Sequence, residues 1–328
     1  MRLLALALAA VVASAPATLL GAQGSDPTTA VALHTLQEKE ARLFNIGWRL
    51  VTGNAAFCDN AAPAIGLLLH DAYSYANPDA VIAAAGLDGP IGVQAVADDS
   101  PAAKAGLIPN MTVTAIERRE LANWPIDDDA GWRRMADINT ALEDRLREHG
   151  TVLLHFRQAS LEDEGEALLQ GTLACATRFE LLPGSDRVVA DGDRVLLGDR
   201  FPGFGYSDEL LAAAIAHELA HNLLRHRERL DSIGRSNRNV RETEREADRL
   251  MPWLLANAGY RPEAAVEFMG HWGPRSSGGA LGGIFRARSH DGWDERAELI
   301  AAELPKVQQA ISQEGRADWR ADFTVPEC

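Results

Sequence analysis

"AAIAHELAHNLLRH", residues 213–226, carries two histidines four positions apart, with a glutamate directly after the first. Leu210, Leu211, Ile215, Leu219 and Leu223 recur around it at helical spacing. Ser207 can cap that helix, and Asp208 and Glu209 suit its positively polarised first turn. His217 and His221 then project from one face, one turn apart, as two nitrogen donors for a single Zn²⁺. Glu218, rotated by about 100°, can reach a water at that metal. An apolar core helix that happens to carry histidines is the alternative. Three fixed positions leave both open.

A catalytic zinc takes three protein ligands and keeps an open position. "RETEREADRLM", residues 241–251, supplies a candidate third ligand. Glu244 and Asp248 stand at i and i+4 on one face of a second helix, over about 240–257. Glu244 can complete a His₂Glu set, and Asp248 can accept a hydrogen bond from the free ring nitrogen of a ligating histidine. A solvated Arg/Glu-rich face is the bland reading. It loses weight because Glu244 follows His221 by 23 residues.

"HELAH" followed by "EREAD" resembles the zinc endopeptidase family that includes HtpX, the CAAX-prenyl endopeptidase and the periplasmic BepA-type proteins. The resemblance spans roughly residues 171–305. It implies that His217, His221 and Glu244 hold zinc, that Glu218 is the general base, and that Asp248 supports a ligand. "RVVADGDRVLLGD" (187–199) resembles the family strand that pairs with extended substrate, with Arg187 and Val188 in place of Asn-Ala. "SHDGWDER" (289–296) resembles the family's Ser/Thr-His-Pro…Glu-Arg segment, with Asp291 in place of proline. By that match His290 and Arg296 are catalytic, lying near the zinc to bind the oxyanion or to order the site. His149, His226 and His271 match nothing and read as structural or surface residues. Membrane members of the family carry transmembrane helices around the site, and this sequence has no such segment after its N-terminus.

"IGVQAVADDSPAAKAGLIPNMTVTAIERREL" (91–121) resembles a PDZ domain of the kind attached to bacterial envelope proteases. Ser100-Pro101 makes a good helix start, and Asn110-Met111 stands where Gly-Asp is usual. "GPIGV" (89–93) falls where the loop that receives a peptide C-terminus is expected. A local helix cap without a PDZ fold is the alternative.

The chain has 328 residues, 46% hydrophobic and 24% charged, enough for two modest domains with separate cores. A formal net charge of −15 argues against phosphate-backbone binding and against anionic membrane surfaces. Residues 1–22, with a basic start, an apolar run and small residues, read as a secretory signal peptide, leaving no transmembrane anchor after cleavage. An exported protein can form disulfides. Of Cys58, Cys175 and Cys328, the expected pair is Cys58–Cys175, because Cys328 is the last residue; three free thiols are the alternative.

The expected fold class is α+β. It comprises a zincin-type (gluzincin) metallopeptidase domain, mainly helical with a small β-sheet, and an inserted PDZ-like β/α domain. The parts are an N-terminal helical part of the peptidase at 30–85, the PDZ-like domain at 86–160, an acidic linker at 161–166 and the metallopeptidase domain at 170–328. The expected function is that of a periplasmic or secreted metalloendopeptidase with one Zn²⁺ per chain. It would act on protein or peptide substrates and use the insert to bind C-terminal peptides. A zinc-stabilised chaperone or assembly factor with little turnover is the rival, and a plain PDZ adaptor without zinc is a third possibility.

Overall fold

The computed structural model describes residues 27–125, 132–158, 164–276 and 291–323. The signal-peptide segment, His290 and Cys328 lie outside them. The architecture is mixed α+β, organised around two separate apolar cores.

The larger core is helical. It gathers α1 (Pro27–Gly53), α5 (Asp208–Leu223), α7 (Asn237–Asn257), α8 (Ala264–Ser276), α9 (Trp293–Ala301) and α10 (Leu304–Glu314). Helix α5 is apolar almost all round, as a central helix must be. Its buried alanines, Ala212, Ala213, Ala214, Ala216 and Ala220, let neighbouring elements approach closely. Ser207 occupies the N-cap position of α5, but its side chain makes no capping hydrogen bond. Arg42 of α1 braces that end instead. Its guanidinium donates to the carbonyls of Phe204 and Tyr206 at 2.6 and 2.5 Å and to Asp208 at 2.7 Å.

Helix α1 ends at Gly53, as Gly-Asn predicts, yet Asn54 does more than stop it. It is fully buried, and its amide donates to the carbonyls of Leu50 and Leu254 while its oxygen accepts from Asn257 and Trp319. It thereby ties α1 to α7 and to the C-terminal segment. Gly47 is required where α1 crosses the strand at Phe179, because a Cβ there would sit 2.3 Å from the Phe179 ring.

Against the helices lies a three-stranded sheet of β9 (Arg178–Leu182), β11 (Arg194–Gly198) and β10 (Val188–Ala190). Strand β11 runs parallel to β9 and antiparallel to β10, leaving β10 at the edge. A two-stranded ladder, β1 (Ala61–Ala64) with β8 (Thr172–Cys175), closes the base of the second unit. Cys58 and Cys175 are disulfide-bonded across it, 117 residues apart in sequence.

The second unit is an antiparallel sheet in the order β2 (Leu67–Asp71), β3 (Ile91–Val96), β4 (Thr112–Ile116), β6 (Thr151–Arg157), β7 (Gly165–Gln170), with β5 (Arg119–Glu120) paired to β4. Helix α4 (Arg133–His149) packs Ile138, Leu142 and Leu146 into its core, and α3 (Pro101–Lys104) starts at Ser100, whose hydroxyl accepts from Ala103 N–H. Asn110 takes a left-handed conformation with φ 68°, which lets it stand in for glycine in the turn before β4.

Three sequence boundaries change. The unit is not confined to 86–160, because Ile65 and Leu69 on one side and Leu169 on the other belong to its core. Gly165 and Glu166, read as linker, pair with β6. The 30–85 segment is only partly helical, since it also contributes β1 and β2. Its last helix, α2 (Pro78–Ala85), packs Val81 and Ala85 with Leu33 of α1 as a small third cluster. The loop expected at 89–93 to receive a peptide C-terminus lines a cavity together with Thr112 and His155. It leads into β3, which is flanked by β2 and β4, so no strand can add there. Among the described residues, β2 is the edge strand on that side. No helix among the described residues is long and apolar enough to cross a membrane.

Candidate metal centre

Packing of α5 on α7 brings the sequence-predicted residues together. His217 and His221 of α5 point their Nε2 atoms at one spot, 3.2 Å apart. Glu244 of α7 reaches it from the other side, with Oε2 3.5 Å from His217 Nε2 and Oε1 3.5 Å from His221 Nε2. Three donor atoms around a tetrahedral zinc at about 2.0–2.1 Å stand about 3.3 Å from one another. The 3.2 Å between the nitrogens and the 3.5 Å from each to one or other Glu244 oxygen lie close to that value, so the residues fit a zinc ion. Among the described residues this trio is the one group of His, Cys, Asp and Glu with ligand atoms close enough for a metal.

Behind the trio lie buried charges. Asp248 Oδ1 is 3.1 Å from His217 Nδ1, which places a carboxylate beside that nitrogen as an ion-pair contact rather than an aligned hydrogen bond. Arg296 of α9 clamps Asp248 with both arms, Nε to Oδ2 at 2.7 Å and Nη2 to Oδ1 at 2.6 Å. Helix α9 starts at Gly292, whose N–H donates to Glu295 at 2.9 Å, and this start sets Arg296 one turn in. Of the two roles the resemblance implies for Arg296, the geometry favours ordering the site, because the guanidinium is buried and committed to Asp248. It also approaches Glu244, at 3.8 Å. His290, the other residue expected there, is outside the described residues. Its neighbour Asp291 pairs with Arg241 and Arg245 of α7.

Electrostatics favour a cation in the pocket. Burial disfavours charge on His217, yet Asp248 and Glu244 outweigh it and raise its pKa to about 10. Burial, reinforced by the His217 charge, pushes His221 down to about 3. Asp248 stays below the usual carboxylate range despite its burial, because His217 and Arg296 hold its charge. Burial raises the Glu218 pKa, opposed by His217.

Glu218 lies beside strand β10, and the Ala190 N–H donates to its carboxylate. Asn222 fixes that strand against α5, its side chain accepting from Gly192 N–H at 2.8 Å and donating to the Arg194 carbonyl at 3.0 Å. The β10–β11 ladder turns Arg187 and Asp191 toward β11. Val188 and Ala190 therefore aim their backbone groups at the open edge.

His226, read from sequence as structural or surface, is buried against the site. Its Nδ1 is 2.9 Å from His221 Nδ1, and its Nε2 is 3.1 Å from Glu246 Oε2. The chain continues from α5 into α6 (His226–Ile233). Arg225, left-handed at φ 51° and ψ 39°, reverses the chain between α5 and α6 and turns His226 back under His221. Spacing alone could not show this, since His226 is off the His217/His221 face of an unbroken helix. By contrast, His149 and His271 are exposed, as expected.

The chain matches no protein-family model, no curated protein and no solved structure.

Proposed function

We propose that the protein is an exported zinc-dependent metalloendopeptidase of the HtpX and BepA type. The observation that carries the reading is the convergence of His217, His221 and Glu244 at tetrahedral spacing, with Glu218 beside them. When bound, zinc supplies Lewis acidity at the scissile carbonyl and at water. Glu218 takes the proton of the attacking water and returns it to the departing amine nitrogen. Extended substrate pairs with the open edge of β10. Val188 offers its backbone groups there, whereas the Ala190 N–H is engaged by Glu218. Backbone pairing of this kind recognises shape more than sequence. The Cys58–Cys175 bridge supports a periplasmic or secreted location. The PDZ-like unit is proposed to take a peptide strand along the free edge of β2, presenting substrates or partners to the peptidase.

The purified chain is expected to take up one zinc and to cleave casein or another unfolded protein. Glu218→Gln is expected to keep the zinc and lose about 10²–10⁴-fold in turnover. Equal cleavage by both proteins sinks the enzymatic reading. So does zinc uptake by the wild type without cleavage, which would make the chain a binding or assembly factor.

A further inference from the structure

We propose that His226 is a positioning residue for the ligand His221, itself oriented by Glu246, and that this pair selects the metal-binding tautomer of His221. The inference rests on the zinc reading of the site.

The geometry leaves room for one proton between the two Nδ1 atoms, which stand 2.9 Å apart. For His221 to give its Nε2 lone pair to a metal, its own proton must sit on Nδ1. His226 Nδ1 must then be the acceptor, which puts the His226 proton on Nε2. That proton needs an acceptor of its own, and Glu246 Oε2 stands 3.1 Å away. Arg229 donates to the same oxygen at 2.6 Å and holds it in place. In the opposite arrangement, with the proton on His226 Nδ1, neutral His221 would carry its proton on Nε2 and could bind no metal there. Glu246 disfavours that arrangement, because a bare Nε2 would face a carboxylate.

The two ligand histidines are thus backed in parallel ways. Behind His217 stand Asp248 and then Arg296; behind His221 stand His226, Glu246 and then Arg229. The second line is longer by one imidazole, because His226 stands between His221 and Glu246. His226 is 1% exposed, and its two nitrogens are both engaged.

The test is zinc affinity by chelator competition, with the visible spectrum of the cobalt-substituted protein as a second readout. His226→Phe keeps the ring volume and removes both nitrogens; it is expected to weaken zinc binding about 10–100-fold and to change the cobalt bands. His226→Gln, whose amide can accept from His221 and donate to Glu246, should recover most of the affinity. Glu246→Gln should weaken zinc binding by a smaller factor, and combining it with His226→Phe should add nothing further. Melting of the metal-free proteins identifies any variant that fails to fold, and Glu246, at the partly exposed end, then decides the matter. Wild-type protein that binds no zinc overturns the metal reading and the relay with it. Wild type that binds one zinc, with affinity and spectrum unchanged by His226→Phe and by Glu246→Gln, overturns the relay alone.

Discussion

Replacing Asp248 with asparagine would take one charge from a buried set in which His217 and Arg296 both pair with it. The Arg296 guanidinium would lose its bidentate carboxylate and keep Glu244, at 3.8 Å, as a charged partner. Removing one member of a buried ion pair typically costs about 3–5 kcal/mol, mostly for the charge left behind. Urea denaturation in the presence of a chelator should show Asp248→Asn less stable by that order. The zinc affinity should also fall about 10–100-fold, because the Nδ1 side of His217 loses its carboxylate. A metal-free variant with unchanged stability would contradict the assignment. The residues of this site were legible because ligand chemistry dictates types and spacings: His217, Glu218 and His221 on one helix, Glu244 and Asp248 on another. His226 was not legible, since its position depends on the left-handed backbone of Arg225, a conformation that arginine's own preferences do not announce.

Helix α1 meets both units, and its contact with β3 contains an ionisable group poorly placed for charge. Glu40 is half-buried there and accepts from the Gln94 amide, while Gln37 donates to Asn110 at 2.8 Å. Burial lifts the Glu40 pKa above its ordinary value; Gln94 opposes this, and Glu180 adds to it. The folded protein therefore holds this proton more tightly than the unfolded chain. Its stability falls as pH rises past the unfolded carboxyl pKa of about 4.3. Glu40→Gln should raise the melting temperature at about pH 8 and change it little at about pH 4, on either side of the carboxyl titration. An equal shift at both values would mean that packing, not charge, sets the effect. Elements with strong periodicity or strand alternation, such as α1, α4, α5, β3 and β6, follow from the sequence. The short strands β1, β8 and β9 do not, because their pairing is long-range: Ala61 meets Cys175 from the far side of the sheet unit.

At the scale of the whole molecule, the disulfide and the β1–β8 ladder clasp the chain where it enters and leaves the sheet unit. In the chain-entropy view, closing a loop of roughly 100 residues is worth about 4–5 kcal/mol. Reduction, or Cys58→Ser with Cys175→Ser, should lower thermal stability by that order, as calorimetry under oxidising and reducing conditions can measure. Unchanged melting would mean that the ladder suffices alone. The two-unit organisation was visible in sequence, but not its limits. The core of the inserted sheet recruits Ile65, Leu69 and Leu169 from flanking stretches, whose short apolar runs do not show by themselves which of the two cores they join.

The pairing of Ala64 with Thr172 has a consequence for how such a chain can change. Everything between those two residues leaves the helical unit and returns to it at neighbouring points. To the helices around the histidines, the whole intervening stretch amounts to a single turn between two adjacent strands. Loop closure becomes only slowly harder as length grows. On those grounds α5 and α7, which carry His217, His221 and Glu244, should keep their packing when the intervening stretch changes in length.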